Sequence, residues 1–370
     1  MNFIDLFAGI GGFRIALENC GAKCVFSSEN NSPCQIVYKR NFGELPTGDI
    51  TKVQQEEIPE FDILTAGFPC QPFSLCGKKE GFECNTGGTL FFHIANILKH
   101  KKPDMFLLEN VKGLITHRKG ETLRTIQEVL AGLGYTIYST VLNSYDFGVP
   151  QFRERWYCVG FNKNIYFEFP VGKKRGSKLE DIVNIGLKDE RLNLCEEQLE
   201  RIDYHFKHFK KTARVEHDNS RYRSNSKKGK YGIFSYLKPD NTLRFHTGDR
   251  AKSQMQDDYF VSLKSVAPTI IATRAPKIWD LRRHLSVDEC KRLQGFPEDF
   301  SFDDVSINIA KKQLGNAVTV PVVQAIAENM LFYYNKKINF AASSDNYVLP
   351  DHFLNSGDSA ADEIYKYLSK

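Results

Sequence analysis

NFIDLFAGIGGFRIALEN, residues Asn2–Asn19, has the pattern of a strand, a turn and a helix in that order. An apolar run leads into a turn that contains Gly9, Gly11 and Gly12, and a periodic stretch over 13–19 follows. Glycines between a strand and a helix let the backbone approach a ligand at the helix N-terminus. The segment therefore predicts one unit of an α/β fold with a ligand site at its turn.

The same alternation continues along the chain. Apolar runs and periodic stretches predict strands over 23–27, 61–66, 105–108 and 156–160 and helices over 32–41, 89–99 and 121–133. Short strands that alternate with helices are typical of an α/β protein with a doubly wound, mostly parallel sheet. Such sheets bind ligands beyond the carboxyl ends of their strands, so we expect the functional residues in the loops that follow the strands.

The composition is that of a folded globular protein. With 370 residues, 41% hydrophobic and 26% charged, the chain is long enough for two domains and too apolar for whole-chain disorder. It has no basic leader and no apolar run near the roughly 20 residues that cross a bilayer, so we expect a cytoplasmic protein without a membrane span. Nine cysteines without a CxxC pair fit neither a disulfide framework nor a zinc site, so we expect a reducing compartment and no metal.

Positive charge is concentrated in one segment. Between Val171 and Asp280, 23 Lys and Arg stand against 15 Asp and Glu, whereas the whole chain has a net charge of only +5. This segment has weak periodicity, and we expect it to form a smaller domain over 171–280.

Regular structure is predicted again after this segment. Ser286 has the N-cap position of a helix over 286–293, with Glu289 at capping-box spacing, and a last helix is predicted over 320–333. We therefore expect a main domain built from 1–170 and 281–335, followed by a polar tail over 336–370.

Glu29 indicates the kind of ligand. It ends the second predicted strand 20 residues after Gly9, where an acid can accept hydrogen bonds from ribose hydroxyls. Because the glycine spacing is not GxGxxG, an adenosyl cofactor without a pyrophosphate fits better than a dinucleotide.

Cys70 lies between two prolines in GFPCQPFS, residues Gly67–Ser74, directly after the third strand. The prolines stiffen the loop, and a thiol at a strand end near helix N-termini has the exposure and the field that favour a thiolate nucleophile. An inert loop cysteine is the alternative. The glycine-rich stretch over 75–88 is predicted to be a mobile loop that closes over substrate.

Two further loops carry charge. Glu109 follows the strand MFLL and is predicted to be a general acid or hydrogen-bond partner, the alternative being an idle Glu109 beside an Asn110 helix cap. In QFRERWY, Arg153 and Arg155 alternate with other residues, so on a strand both guanidinium groups share one face and can grip a phosphate or a base edge. A solvated strand face is the alternative for this pair.

Taken together, these motifs resemble the C5-cytosine DNA methyltransferases, which use S-adenosylmethionine. DLFAGIGGF is similar to the family's cofactor loop, GFPCQPFS to its nucleophile loop, ENV to its glutamate motif and QFRERWY to its arginine motif. RHLSVDECKRLQGFPEDF and QLGNAVTVPVV resemble its two closing motifs. The resemblance covers residues 1–170 and 266–333, with the motifs in family order.

The resemblance implies a mechanism. Cys70 attacks C6 of a cytosine flipped out of the duplex, Glu109 holds N3 and the exocyclic amine, and Arg155 contacts O2, with Arg153 beside it in the catalytic group. The C5 carbon then accepts the methyl group, and release of the C5 proton and of Cys70 completes a covalent route that leaves S-adenosylhomocysteine as product.

The resemblance also implies two sets of binding residues. The cofactor set is Phe7, Gly9, Gly11, Glu29, Asn30, Asp49, Ile50, Pro69, Leu90, Asn316 and Val318. The set for double-stranded DNA is Gln71, Ser74, Arg221, Arg223, Lys227 and Lys228, the last four in the basic segment at the family's target-recognition position.

Three positions depart from the family pattern. Gly87 stands where an arginine is frequent, His93 where an acid is usual, and Asn30 where a bulky apolar residue is frequent. None of them removes a catalytic group, so activity is still expected.

Three functions remain open at this point. We expect a DNA methyltransferase that acts as a monomer, associates with the nucleoid when bound to DNA, and either accompanies a restriction endonuclease or is solitary. A tRNA cytosine-5 methyltransferase of the same architecture and a non-enzymatic nucleic-acid-binding relative are the alternatives.

Overall fold

A seven-stranded sheet forms the centre of the molecule. The computed structural model describes residues 1–69, 90–172, 176–210, 214–218, 232–249, 253–337 and 347–348. The strands of the central sheet, in chain order, are β1 (Asn2–Leu6), β2 (Lys23–Ser28), β3 (Ile63–Gly67), β4 (Met105–Val111), β5 (Thr136–Asn143), β7 (Glu154–Phe161) and β15 (Tyr347–Val348). Their spatial order is β15-β5-β7-β4-β3-β1-β2.

The topology explains where a ligand site forms. Strands β2, β1, β3 and β4 are parallel neighbours, whereas β7 runs antiparallel to both β4 and β5. The chain passes from β1 to β2 on one side and then returns to β3 on the other side, so the strand order switches direction beside β1. The predicted α/β class and mostly parallel sheet are confirmed. The loops after these four strands meet at one edge of the sheet, where open α/β sheets bind ligands.

Helices cover both faces of the sheet. The described helices are α1 (Gly12–Asn19), α2 (Ser32–Phe42), α3 (Leu90–Lys101), α4 (Glu121–Gly132), α5 (Glu196–His208), α6 (Val287–Gln294), α7 (Ile307–Asn316) and α8 (Val320–Lys336), of which α5 packs on a second sheet. The capping box of α6 forms as predicted, with the Ser286 hydroxyl accepting from Glu289 N–H and the Glu289 carboxylate accepting from Ser286 N–H. In the part of the chain that is described, no helix is long and apolar enough to cross a membrane.

Alternate residues of the strands enter two separate cores. In β4, Met105 and Leu107 pack into one apolar cluster together with α1, α7 and α8, while Phe106 and Leu108 pack into the other together with α3 and α4. Because both faces are buried, these strands are apolar at nearly every position.

A second, six-stranded sheet forms the smaller part of the molecule. Its order is β14-β13-β11-β10-β9-β8, from the strands β8 (Val215–His217), β9 (Gly232–Leu237), β10 (Thr242–Asp249), β11 (Ser253–Val261), β13 (Lys277–Ile278) and β14 (Arg283–His284). One face of this sheet packs on α5 around a small core that includes Leu243, Phe245 and Phe260.

The junction between the two parts belongs to the main core. Leu179 and Val183, before α5, and Ile270 and Ile278, after β11, pack in the larger apolar cluster. The short parallel pair of β6 (Gln151–Phe152) and β12 (Ala267–Pro268) joins the same region. The core that belongs to the smaller part alone therefore spans fewer residues than 171–280. The boundaries of the domain expected over 171–280 stay a prediction.

Candidate active site

The turn after β1 has the geometry of a ligand loop. Phe7, Gly9 and Gly11 all have positive φ, at 56°, 57° and 85°. Gly11 precedes α1, and a Cβ there would lie 2.3 Å from the ring of Phe42, so a side chain is excluded. Beside Gly9 a Cβ would meet no described atom within 4 Å, so there is open space against the backbone at this point.

Glu29 is bonded to this turn. Its Oε2 accepts from Gly9 N–H at 2.8 Å, and its Oε1 accepts from Asn31 N–H at 2.7 Å. The turn is further fixed by Ala8 N–H, which donates to Ser28 O at 2.9 Å. The ends of β1 and β2 thus form one rigid edge, with Glu29 half-buried and Asn30 exposed beside it.

The other predicted cofactor residues border the same edge. Asp49 precedes a short 3₁₀ turn, and its Oδ1 accepts from the Thr51 N–H and hydroxyl, which lowers the pKa of Asp49 below its ordinary value. Ile50 is buried, and Phe7 packs against its cluster. Pro69 is exposed just after β3, and Leu90 is the first residue of α3.

The C-terminal motif returns to the first turn. Asn316 ends α7 and is exposed, and Val318 is buried at the start of the next helix. A Cβ on Gly12 would lie 2.8 Å from Val318 Cγ2, so glycine permits this close packing. The structure therefore brings Val318 against the start of α1, next to the turn after β1.

Glu109 and Arg155 form a buried ion pair at the end of β4. Val111 pairs with Arg155 in the sheet, so Glu109 and Arg155 are diagonal neighbours on one face. Arg155 Nε lies 3.2 Å from Glu109 Oε1, and both side chains are nearly buried, at 13% and 12% exposed. Burial raises the pKa of Glu109 above its ordinary value, while the charges of Arg155 and Arg153 oppose the rise.

Glu109 also borders the end of β3. A Cβ on Gly67, the last residue of β3, would lie 3.6 Å from Glu109 Oε2 and 4.0 Å from Val318 Cγ1. Three features therefore meet in one place: the Glu109 carboxyl group, the end of β3 that leads to Cys70, and the C-terminal motif that contains Val318.

The position of Arg153 differs from the prediction that it shares one exposed face with Arg155. Its side chain is buried, and it donates to the carbonyl oxygens of Ile270, Gly315 and Ala317 at 2.8, 3.1 and 2.7 Å. Arg153 is therefore engaged by the protein backbone and does not share a solvent-facing position with Arg155 from which both could grip one ligand. Its bonds to residues on either side of Asn316 make it a positioning group.

Asn110 corrects the alternative reading of the glutamate motif. It lies in β4, is 2% exposed and donates from Nδ2 to Phe68 O at 2.8 Å, so it is not a surface helix cap. This bond fixes the backbone two residues before Cys70. The sequence pattern gave no sign of it, because the partner is 42 residues away.

Asp5 was also missed. It is fully buried in β1 and pairs in register with Thr65 of β3, whose hydroxyl lies 2.9 Å from Asp5 Oδ1. No described group bonds to Asp5 Oδ2. Burial raises the pKa of Asp5 to about 7, partly offset by the Thr65 bond and by Arg14. A carboxyl inside the apolar run IDLF is the signal that this position is unusual.

Several predicted residues lie outside the described part of the chain. They are Cys70, Gln71, Ser74, Arg221, Arg223, Lys227 and Lys228, together with Gly87 and the loop over 75–88.

The motifs, the fold and the site geometry agree with one family. The C-5 cytosine-specific DNA methylase family matches residues 1–331, and the chain belongs to it and is a DNA (cytosine-5)-methyltransferase. The resemblance drawn from the sequence motifs is thereby confirmed. Such an enzyme requires a methyl donor and acts on DNA.

The relatives extend over nearly the whole chain. The type II methyltransferase M.DsaV of Dactylococcopsis salina is 40% identical over 337 residues, which cover 90% of this chain and 86% of the relative. M.HhaI of Haemophilus parahaemolyticus is 37% identical over 335 residues, with 89% and 94% covered.

Solved structures share the fold at low identity. The crystal structure of S. pombe Dnmt2 methyltransferase has a TM-score of 0.65 at 19% identity, covering 90% of this chain and 99% of that one. The crystal structure of a Spodoptera frugiperda DNMT2 mutant has a TM-score of 0.60 at 19% identity, with 87% and 97% covered.

Proposed function

We propose that the protein is the modification methyltransferase of a type II restriction–modification system and that its methyl donor is S-adenosylmethionine. The identities of 37–40% with named type II methyltransferases over most of both chains support this assignment. The observation that carries the catalytic part is the buried Glu109–Arg155 pair, which borders the strand end that leads to Cys70.

The cofactor edge fits an adenosyl ligand. The open space beside Gly9 leaves room for a ligand against the backbone of the turn. The carboxylates of Glu29 and Asp49 can accept from hydroxyl and amine donors of the ligand, and the apolar side chains of Phe7 and Ile50 suit a flat ring. When bound, S-adenosylmethionine supplies an electrophilic methyl group. The remaining members of the proposed cofactor set are Asn30, Pro69, Leu90, Asn316 and Val318.

Glu109 acts on the cytosine ring. Because burial raises its pKa, the carboxyl group retains a proton more readily than an exposed glutamate does, and it can donate that proton toward N3 of the base. Arg155, held against it, is then available to contact O2. Protonation at N3 draws electrons from C6 and makes that carbon susceptible to attack.

Cys70 is the proposed nucleophile. Its thiolate bonds to C6, the electron pair moves to C5, and C5 gains the methyl group; a base then removes the C5 proton and the Cys70–C6 bond breaks. Burial raises the pKa of the thiols of Cys20, Cys24, Cys34 and Cys290 to about 11 or 12. Those four thiols are therefore poor nucleophiles at neutral pH.

The basic segment is proposed to bind the duplex. Arg221, Arg223, Lys227 and Lys228 contact phosphates, and Gln71 and Ser74 contact DNA at the flipped base. We further propose a monomer that needs no contact with its cognate endonuclease.

The test is covalent trapping on DNA that contains 5-fluorocytosine. The fluorine cannot leave as a proton does, so the protein should stay bonded to DNA in the presence of labelled S-adenosylmethionine and run as a labelled, shifted band under denaturing conditions. Cys70→Ser should abolish the band, whereas Cys195→Ser, which changes an exposed cysteine elsewhere, should retain it. Trapping on tRNA and not on DNA, or no trapping at all, contradicts the proposal.

The same assay tests the thiolate. The rate of adduct formation should fall as the pH drops below the pKa of Cys70, because only the thiolate attacks C6. A rate that is independent of pH down to acid conditions contradicts a thiolate nucleophile.

A further inference from the structure

A network of buried polar side chains lies behind the C-terminal motif. Gln151, Gln294 and Thr319 are each at most 1% exposed, and Arg153 is 2% exposed. Their hydrogen bonds converge on residues 314–319, the joint between α7 and α8. No step of the proposed chemistry uses Gln294 or Thr319.

Gln294 is at the centre of this network. Its Nε2 donates to Leu314 O at 2.6 Å and to Ala317 O at 3.2 Å. Its Oε1 accepts from the Thr319 hydroxyl at 2.9 Å and from Gln151 Nε2 at 3.2 Å. Both amide hydrogens and both lone pairs of the oxygen therefore have partners. Because carbonyl oxygens only accept, the nitrogen must face Leu314 and Ala317, so the amide group can point only one way.

The network bonds to backbone groups at the end of α7. The last carbonyl groups of an α-helix have no partner within the helix. Gly315 O, in the last turn of α7, accepts from Arg153 at 3.1 Å. Ala317 O, just past the helix, accepts from Arg153 at 2.7 Å and from Gln294 at 3.2 Å. Asn316 is therefore fixed by the carbonyl groups on both sides of it.

Gln151 extends the network to the strand of Arg155. It lies in β6, directly before β7, and its Oε1 accepts from Ile270 N–H at 2.9 Å. The end of α6 is fixed as well, because a Cβ on Gly295 would lie 2.3 Å from Pro321 Cδ and α6 thus packs directly on the start of α8. One buried network therefore joins the α7–α8 joint to the strand that carries Arg155.

We propose that Gln294 is a positioning residue for methyl transfer, which fixes Asn316 and Val318 against the methyl donor; this inference rests on the proposed function. A Cβ on Gly12 would lie 2.8 Å from Val318 Cγ2, so a small shift of the joint changes the packing beside the turn after β1. A misplacement of about 1 Å can cost on the order of a hundredfold in rate. Gln294 acts through the backbone of 314–317, not on the substrate.

The affinity for S-adenosylhomocysteine, measured by isothermal titration calorimetry, tests the proposal. Gln294→Met keeps the length of the side chain and removes every bond of the amide group, so buried carbonyl groups lose their donor. We expect the dissociation constant to rise about tenfold, the usual size for the loss of one buried hydrogen bond. The affinity for target DNA, measured without the cofactor product, should stay at the wild-type value.

Gln294→Glu adds a measurement that a purely structural role would not affect. When protonated, the introduced carboxyl group can donate to a carbonyl oxygen and accept from the Thr319 hydroxyl; when ionised, it can only accept. Burial raises the pKa of such a group. The affinity of this variant for S-adenosylhomocysteine should therefore approach the wild-type value at low pH and fall below it as the pH rises through that pKa.

Gln127→Met is the matched control. Gln127 is half-buried on α4 and takes no part in the network, so the same substitution there should leave the affinity unchanged. Thr319→Val is a milder variant, because it keeps the side-chain shape and removes one bond of Gln294. It should raise the dissociation constant by a smaller factor, and it tests the proposal even if Gln294→Met does not fold.

The outcomes separate the alternatives. An unchanged affinity for S-adenosylhomocysteine in Gln294→Met and Thr319→Val overturns the proposal, because the network then serves stability alone. An equal loss of affinity for S-adenosylhomocysteine and for DNA means general loosening and also overturns it, as does a pH profile of Gln294→Glu parallel to that of the wild type. Failure of the proposed function is distinct, because then the wild type itself binds no S-adenosylhomocysteine and is not trapped on 5-fluorocytosine DNA.

Discussion

Three buried residues have structural roles at the candidate site that the sequence motifs do not reveal. Asn110 fixes the carbonyl two residues before Cys70, Arg153 bonds to the carbonyls on either side of Asn316, and Asp5 is buried in β1 just before the first turn. Asn110 and Arg153 bond to the backbone of segments that carry the proposed chemistry, whereas Asp5 bonds to the Thr65 hydroxyl of β3. Their substitution is expected to show first in stability and then in catalysis.

Asp5 makes the stability of the protein depend on pH. Its pKa is about 7 in the fold, against 3.8 as the ordinary value, so between these values the native state holds a proton that the unfolded chain has lost. The free energy of unfolding should therefore fall as pH rises from about 4 to 7, by an amount on the order of a few kcal/mol.

Urea unfolding of Asp5→Asn at several pH values measures this contribution. The variant should lose that part of the pH dependence and exceed the wild type in stability above pH 7, because it buries no ionised carboxylate. Asp299→Asn, the same change at an exposed position, should follow the wild-type profile. Parallel profiles for wild type and Asp5→Asn contradict a proton on Asp5.

Arg153 should contribute mainly to stability. Arg153→Met leaves three buried carbonyl groups without their donor, and each lost bond of this kind costs about 1–3 kcal/mol. Arg153→Lys keeps the charge but not the planar fork, so it should recover only a part. Chemical denaturation gives these values, with Arg40→Met at an exposed position as the control. A loss of methylation without any loss of stability would show that Arg153 acts on substrate.

At the scale of elements, the predicted strands and helices agree with the structure where the pattern of apolar residues is regular. The strands and helices up to α4 are found within about three residues of their predicted bounds, because their strands are continuously apolar and their helices periodic. Strand β5 was missed, since Thr136, Ser139 and Thr140 interrupt its apolar pattern although the strand lies inside the sheet.

Helix α5 shows why the helices and strands of the smaller part were not predicted from the sequence. Its core-facing positions include Arg201 and His205, which are buried because Asp258 and Ser235 bond to them at 2.9 and 2.7 Å. Polar residues on the inner face hide the helical period, and their partners are 57 and 30 residues away.

In the candidate site, too, some residues are predictable from the local sequence and others are not. Glu109 and Arg155 were found from their loops, because each charged residue stands out at the end of an apolar strand. The roles of Asn110 and Arg153 depend instead on distant carbonyl groups, which no local pattern reveals.

The contact between Gly12 and Val318 can be measured by a double-mutant cycle. Gly12→Ala places a methyl group 2.8 Å from Val318 Cγ2 and should cost about 1–3 kcal/mol in unfolding free energy. Adding Val318→Ala removes that methyl partner, so the double variant should be more stable than the sum of the two single losses implies. Strictly additive losses would mean that the two segments do not touch.

At the scale of the molecule, stability should be unequal between the two parts. Among the described residues, the smaller core contains six buried apolar side chains, whereas the central sheet is buried on both faces by large clusters. Local opening follows the amount of buried apolar contact. Amide hydrogen exchange in β9 and β10 should therefore be faster than in β3 and β4, as measured by mass spectrometry of peptides. Equal protection in all four strands contradicts this view.

The shared junction also limits how the smaller part, which is proposed to bind the target DNA, can be exchanged between enzymes. A chimera that cuts at 170 and 280 removes Leu179, Val183, Ile270 and Ile278 from the main core of the host, whereas a graft of about 190–260 leaves them in place. Such a graft divides a buried ion pair, because Lys277 stays with the host while Asp258 arrives with the insert. A donor segment without a carboxylate at the position of Asp258 leaves the Lys277 ammonium group buried without that partner. Compatible donors can therefore be selected by the residue at this position before any chimera is made.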